Sequence, residues 1–217
     1  MNLIVKGLRH RTRLVACSGI IPGFVAALFA VVMFGCSSSR QVSRISADAV
    51  TDVSGDWNDT DSRLVSETMV KDLTSASWVD NFTQEKGKKP TVIVGKITNR
   101  SYEHIDVTTF VKDLERSLLN DGVVNFVASS RERDQIREER KDQAKEASED
   151  TQKGPGQETG ADYMLIGNIS SIIDKEGGEA VKYYQINMEL VDIATNQKVW
   201  IGEKKIKKIV TQDKYKF

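Results

Sequence analysis

Two places in the chain hold side chains whose type and spacing could do chemistry. One is Cys36, preceded by Gly35 and followed by Ser37, Ser38, Ser39 and Arg40, at the end of the apolar run 20–36 (IIPGFVAALFAVVMFGC). A cysteine behind a small residue at the end of such a run is the acceptor thiol of bacterial lipoprotein signals. The other is Glu103, His104 and Asp106, an imidazole among carboxylates, the composition of a general acid–base site. Neighbours within one polar loop are weak grounds for catalysis, and the rest of the chain adds none. Beyond residue 35, His104 is the one histidine and Cys36 the one cysteine, which excludes a zinc centre of those ligands and leaves a Ser-His-Asp triad no other imidazole. No catalytic, metal-binding or cofactor-binding residue is therefore expected.

The elements that carry these residues begin with an export segment. Lys6, Arg9, Arg11 and Arg13 form a positive cluster with no acid beside it, and the apolar block follows at signal-peptide length. About fifteen apolar residues are fewer than the roughly 20 that span a bilayer, and Pro22 and Gly23 weaken the first turn. The sequence Leu14-Val15-Ala16-Cys17 fits a lipoprotein box by its letters, but the charged stretch in front of it offers the membrane no apolar segment. Residues 1–35 are thus read as a signal peptide, 36–56 as the lipidated N-terminus and a flexible tether, and 57–217 as one globular domain.

Removal of 1–35 leaves 182 residues, enough for one packed core. Four of the 31 basic residues and none of the 31 acidic ones go with it, so 27 face 31 and the net charge is −4. That balance argues against general nucleic-acid binding. A single cysteine also rules out an intramolecular disulfide in the exported part.

Over 61–82 the apolar positions Val65, Met69, Leu73, Ala76, Val79 and Phe82 recur every three or four residues, predicting one amphipathic helix. Residues 91–97 (TVIVGKI) read as a buried strand after the breaker Gly87-Lys88-Lys89-Pro90. Asp106 caps a second helix through Val107, Phe110, Val111, Leu114 and Leu118, which Asn120-Asp121-Gly122 ends. Residues 123–128 predict a second short strand. Ser129 and Glu132 then have capping-box spacing for a highly charged helix over 131–150. One-turn pairs are expected there in Asp134 with Arg137, Glu138 with Lys141, Asp142 with Lys145, and Lys145 with Glu149. Ile136, Ala144 and Ala147 are its available core contacts.

The glycines in 154–160 lack dinucleotide-binding spacing and read as a loop or short helix. Three strands close the chain: 163–174, expected to be central; 181–192, with Tyr184, Ile186, Met188 and Leu190 on one face; and a last one from Lys198, whose lysines suit an exposed sheet edge. The expected class is α/β (α+β), a single mixed sheet of four to five strands flanked by helices and ending in antiparallel hairpins.

Five segments, in order, carry a resemblance: WNDTDSR at 57–63, VGKITNRSYEHID at 94–106, FVASSRERDQIREERKDQAKEASEDT at 126–151, GADYMLIGNI at 160–169 and VDIATNQKVWIGEKKIKK at 191–208. Together they resemble the LpoB-type activators of penicillin-binding proteins over nearly all of the exported chain. The resemblance implies an outer-membrane lipoprotein, anchored in the membrane at Cys36, whose domain reaches a class A penicillin-binding protein and stimulates its glycosyltransferase and transpeptidase activities. It implies no catalysis by the domain itself, and neither nucleic acid nor a small-molecule substrate.

The resemblance carries no contact residue with it. From the residues themselves, exposed aromatic and charged loop side chains are the candidates for partner recognition: Trp57, Asn58, Asp59, Arg63, Tyr102, Glu103 and His104. The competing expectation is that Trp57 packs on the domain and the Asn and Asp residues cap helices. A different role, a structural component of an envelope secretion assembly related to the curli-secretion lipoproteins, would call for a further pair of long membrane-spanning strands, which the sequence lacks.

Overall fold

A computed structural model describes residues 41–211. The segment 1–35, read as a signal peptide, and the expected lipidation site Cys36 lie outside them. Residues 46–211 belong to one compact unit. Its order is α1 (Asp59–Thr74), α2 (Ser77–Lys86), β1 (Thr91–Asn99), α3 (Val107–Asp121), β2 (Asn125–Phe126), α4 (Ser130–Glu146), β3 (Tyr163–Glu176), β4 (Glu179–Asp192) and β5 (Lys198–Thr211). The class is α+β, with the single mixed sheet expected.

The five strands run β2-β1-β3-β4-β5 in space. β1 is parallel to β2 and β3, whereas β3, β4 and β5 form a long antiparallel meander. β3 is central, as expected, and β5 is an edge. Every second residue of β4 from Lys182 to Leu190 is buried and the others are half-exposed, the alternation of a sheet covered on one face only. α1 packs on α3 and β5, and α3 on β1 and β2, so the core lies between these helices and one sheet face. Phe110, Leu114, Leu118, Leu165, Ile169, Tyr184, Ile186 and Leu190 are fully enclosed there.

Several boundaries differ from the sequence reading. The helix predicted over 61–82 is two helices: α1 ends at the Ser75 cap, and the Trp78 indole N–H donates to the Leu73 carbonyl at 2.8 Å across the break. Edge contacts of Trp78 and Phe82 on Tyr163, with centroids 5.0 and 5.6 Å apart, then draw α2 onto the sheet. The second strand pairs over two residues only. α4 stops at Glu146, three residues short of Glu149, and neither Lys145 pair forms among the described residues, whereas Asp134–Arg137 and Glu138–Lys141 form at 3.4 and 2.7 Å. No residue of α4 is buried, and Ile136 stays 42% exposed instead of reaching the core. Its Ser129–Glu132 capping box is present as predicted. Residues 154–160 hold no regular element.

Candidate partner-binding surface

The seven candidate residues come from two stretches, the entry to α1 and the loop between β1 and α3, and the fold brings these side by side. Asn58 caps α1: its side chain accepts from the Asp61 N–H at 3.1 Å, and the Asp61 carboxylate accepts from the Asn58 N–H at 3.0 Å. That reciprocal box satisfies two of the donors a helix start leaves open. Asp59 follows, exposed, in the first turn, and Arg63 sits one turn on with Glu67 at 3.5 Å. Trp57 is half-buried, its ring edge-on to Phe110 at 6.1 Å and to Tyr184 at 5.7 Å.

In the loop, the Asn99 side chain folds the turn: it accepts from the Ser101 N–H at 2.9 Å and donates to the Glu103 carbonyl at 2.8 Å. The Tyr102 N–H donates to Ser171 Oγ at 3.1 Å, which fixes the loop to β3. Its ring nevertheless stands 86% exposed. His104 is exposed beside it. Glu103 points the other way. Its carboxylate accepts from the Trp57 N–H at 3.1 Å, from the Tyr184 hydroxyl at 2.7 Å and from Lys182 Nζ at 3.0 Å.

Glu103 therefore belongs to an ionic cluster that periodicity and resemblance left out. Lys182 is held between Glu103 and Asp56. Lys208 is held between Asp52 at 2.7 Å and Asp61 at 2.6 Å, and it also donates to the Asp56 carbonyl at 3.2 Å. Both lysine side chains are about nine-tenths buried, at 10% and 11% exposure. Burial opposes their charge, but the hydrogen bonds to Asp56 and Glu103, and to Asp52 and Asp61, outweigh it and raise both ammonium pKa values. The same bonds hold Asp52 and Asp56 below the ordinary carboxylate value. Burial and then the Glu103 carboxylate push the Tyr184 hydroxyl far up, so it stays a neutral donor.

The cluster fastens the chain ahead of α1 to the sheet. Residues 46–58 hold no helix or strand, yet from Asp52 onward they are bonded to β4, β5 and the β1–α3 loop. Gly55, at φ 71°, lies so close to Val210 that a Cβ would collide with it. One signal for this was present: Lys182 falls in phase with Tyr184, Ile186, Met188 and Leu190, a charge on the apolar stripe.

Of the seven candidates, then, Trp57 and Glu103 are half-buried and engaged inward, Asn58 is half-buried at the α1 cap, Arg63 is half-exposed, and Asp59, Tyr102 and His104 face solvent. The imidazole and the Glu103 carboxylate are not brought together as an acid–base pair, since Glu103 is engaged by Trp57, Tyr184 and Lys182. Among the described residues no three His, Cys, Asp or Glu side chains converge as a metal-holding group, and no helix is long and apolar enough to cross a membrane.

The family model described as peptidoglycan-synthase activator LpoB matches residues 61–206, from the first turn of α1 to the middle of β5. The chain belongs to the LpoB family. Among solved structures, the LpoB C-terminal domain from Escherichia coli is similar at 17% identity, covering 67% of this chain and 98% of that one, with a TM-score of 0.39. The LpoB C-terminal domain from Salmonella enterica is 19% identical over 59% and 91% of the two chains, at a TM-score of 0.34. Lipoprotein GNA1162 from Neisseria meningitidis is 12% identical over 55% and 83%, at 0.35. No curated protein matches the chain in a sequence search. The LpoB family is one of regulatory activators, not of catalysts, and its members act on peptidoglycan synthesis.

Proposed function

We propose that this LpoB-family protein is an outer-membrane lipoprotein, anchored by acyl chains on Cys36 after removal of residues 1–35, whose periplasmic domain binds a class A penicillin-binding protein and activates peptidoglycan synthesis without chemistry of its own. The observation that carries this reading is the family match across 61–206, which covers the domain from α1 into the last strand. Tyr102 and His104 supply a supporting detail. They are exposed on a loop held by three side-chain hydrogen bonds, and an ordered loop loses little entropy on binding. Asp59 and Arg63 extend that surface onto the first turns of α1, while Trp57, Asn58 and Glu103 hold it in shape.

The test is to capture partners from detergent-solubilised envelopes on the full chain and assay glycan polymerisation by any synthase retained. Recovery of a class A penicillin-binding protein whose rate rises with added protein is the expected result. Recovery of only its own copies or of secretion components would overturn the reading in favour of an assembly role.

A further inference from the structure

The sheet face turned away from the helices is open, and its composition is not uniform. Strand register lays it out in rows across β3, β4 and β5: Asn168, Asn187 and Glu203; then Ser170, Gln185 and Lys205; then Ile172, Tyr183 and Lys207; then Asp174, Val181 and Ile209. The first two rows are what a solvated face should be. Their amides bond one another, Gln185 to Asn187 at 3.1 Å, and Lys205 is paired with Glu203 at 2.5 Å. In the next two rows the apolar side chains collect. Ile172 lies directly across from Tyr183 and Val181 directly across from Ile209, with Ile172 66% and Ile209 73% exposed. β-Branched residues suit any strand, but propensity alone would not gather them with a tyrosine at one end of one face.

Charge changes sign across this cluster. Beyond it, at the β3–β4 turn, strand alternation puts Asp174, Glu176 and Glu179 on the same face. Beside it, in the Ile172–Tyr183 row, stands Lys207, and farther back on the same face Arg100 lies with Asn168 and Asn187 of the first row. Neither cation has an acidic partner among the described residues. An apolar centre with an acidic flank and a basic flank accepts a partner surface in one orientation only.

We propose that these two rows, centred on Ile172, Tyr183 and Ile209, are a docking surface for the synthase, which meets them with apolar side chains, carboxylates toward Lys207 and Arg100, and cations toward Glu176 and Glu179. This rests on the activator reading above and extends the contact beyond the Tyr102 loop. Exposed apolar area of this kind, roughly a few hundred Å², falls below the about 800 Å² per partner of a standard stable interface. It fits a reversible contact with a regulated enzyme better than a permanent pairing of two copies.

The experiment compares the full chain with two variants for binding to the purified class A synthase in detergent: the triple variant Ile172→Thr, Tyr183→Thr, Ile209→Thr, and Lys207→Glu. Threonine keeps strand propensity, and thermal melting checks the fold. The expected result is binding at least about tenfold weaker for the triple variant. For Lys207→Glu, an association rate several-fold slower with less salt dependence is expected. Unchanged binding by both folded variants, with the unaltered chain still activating, overturns the docking surface and leaves the activator reading standing. Should the triple variant fail to fold, Lys207→Glu alone decides between these outcomes. Failure of the unaltered chain to bind the synthase overturns the activator reading and this inference with it. Self-association that the triple variant abolishes would identify a second copy as the occupant and overturn the synthase assignment.

Discussion

The ammonium of Lys208, near the end of the last strand, donates to the Asp61 carboxylate in the first turn of α1 across 2.6 Å. Those two residues are 147 positions apart, and the pair joins the two extremes of the domain. Asp61 is 6% exposed, so loss of its counter-charge leaves a carboxylate with little water to turn to. Lys208→Met keeps the length of the side chain and removes the charge. A loss of about 3 kcal/mol in urea-unfolding free energy is expected; a loss below about 1 kcal/mol would show that the cap alone satisfies Asp61.

Stability should form a plateau in pH with a fall on either side. Asp52 and Asp56 titrate below their ordinary 3.8, through the hydrogen bonds of Lys208 and Lys182 respectively. Glu132 is lowered from 4.5 to about 2, first by Lys112 and then by the Ser129 N–H and hydroxyl. Depressed carboxylates stabilise the fold above their unfolded values and lose that contribution as pH falls through the folded ones. Lys182 and Lys208 are raised above 10.5, so their contribution is present below that value and is lost as pH climbs through the folded ones. Urea midpoints from pH 2 to 12 would check this, and a midpoint that rises on acidification below 3.8 would contradict it.

Trp57 and Tyr102 should behave oppositely on truncation. Trp57→Ala removes two edge-on aromatic contacts and exposes Phe110 and Tyr184, at an expected cost of about 2 kcal/mol for a half-buried ring. Tyr102→Ala removes a ring that touches solvent, and its effect on stability should stay within about 0.5 kcal/mol. Thermal melts of the two variants separate a structural aromatic from one free for recognition; equal losses would refute the distinction.

Gly202 faces the core on β5, where a Cβ would overlap the Trp200 indole and come within 3.1 Å of Met69 Cε. The Trp200 N–H is held by Asp72 at 3.2 Å, which limits how far the ring can retreat. Gly202→Ala is expected to cost about 2 kcal/mol as overpacking. Chemical unfolding measures it, and an unchanged midpoint would mean that the indole shifts freely.

Legibility followed locality. α3 and β4 were plain because one face of each is buried and the apolar period repeats without interruption, from Phe110 to Leu118 and from Tyr184 to Leu190. The split at Ser75 was not, because the apolar spacing runs on through Ala76 and Val79 while the chain turns on a Trp78–Leu73 hydrogen bond. α4 was found by its capping box, but its core contacts were misjudged, since a helix this polar can form with no buried face at all. Glu103 read as an outward loop charge. Its partners Lys182 and Tyr184 lie 79 and 81 residues away, and no local spacing encodes a pairing at that distance.

The ionic cluster also decides how the domain bears load. A pull on the backbone at residue 46 travels along 46–57 and arrives first at Asp52 and Asp56, which are bonded to Lys208 and Lys182 on two neighbouring strands. Those strands are locked to each other in register over almost their whole length. Tension is thus divided between β4 and β5 and carried as shear along a paired ladder before it can peel the first turn of α1. Were the chain anchored ahead of residue 46, as proposed above, the load would reach β4 and β5 before α1.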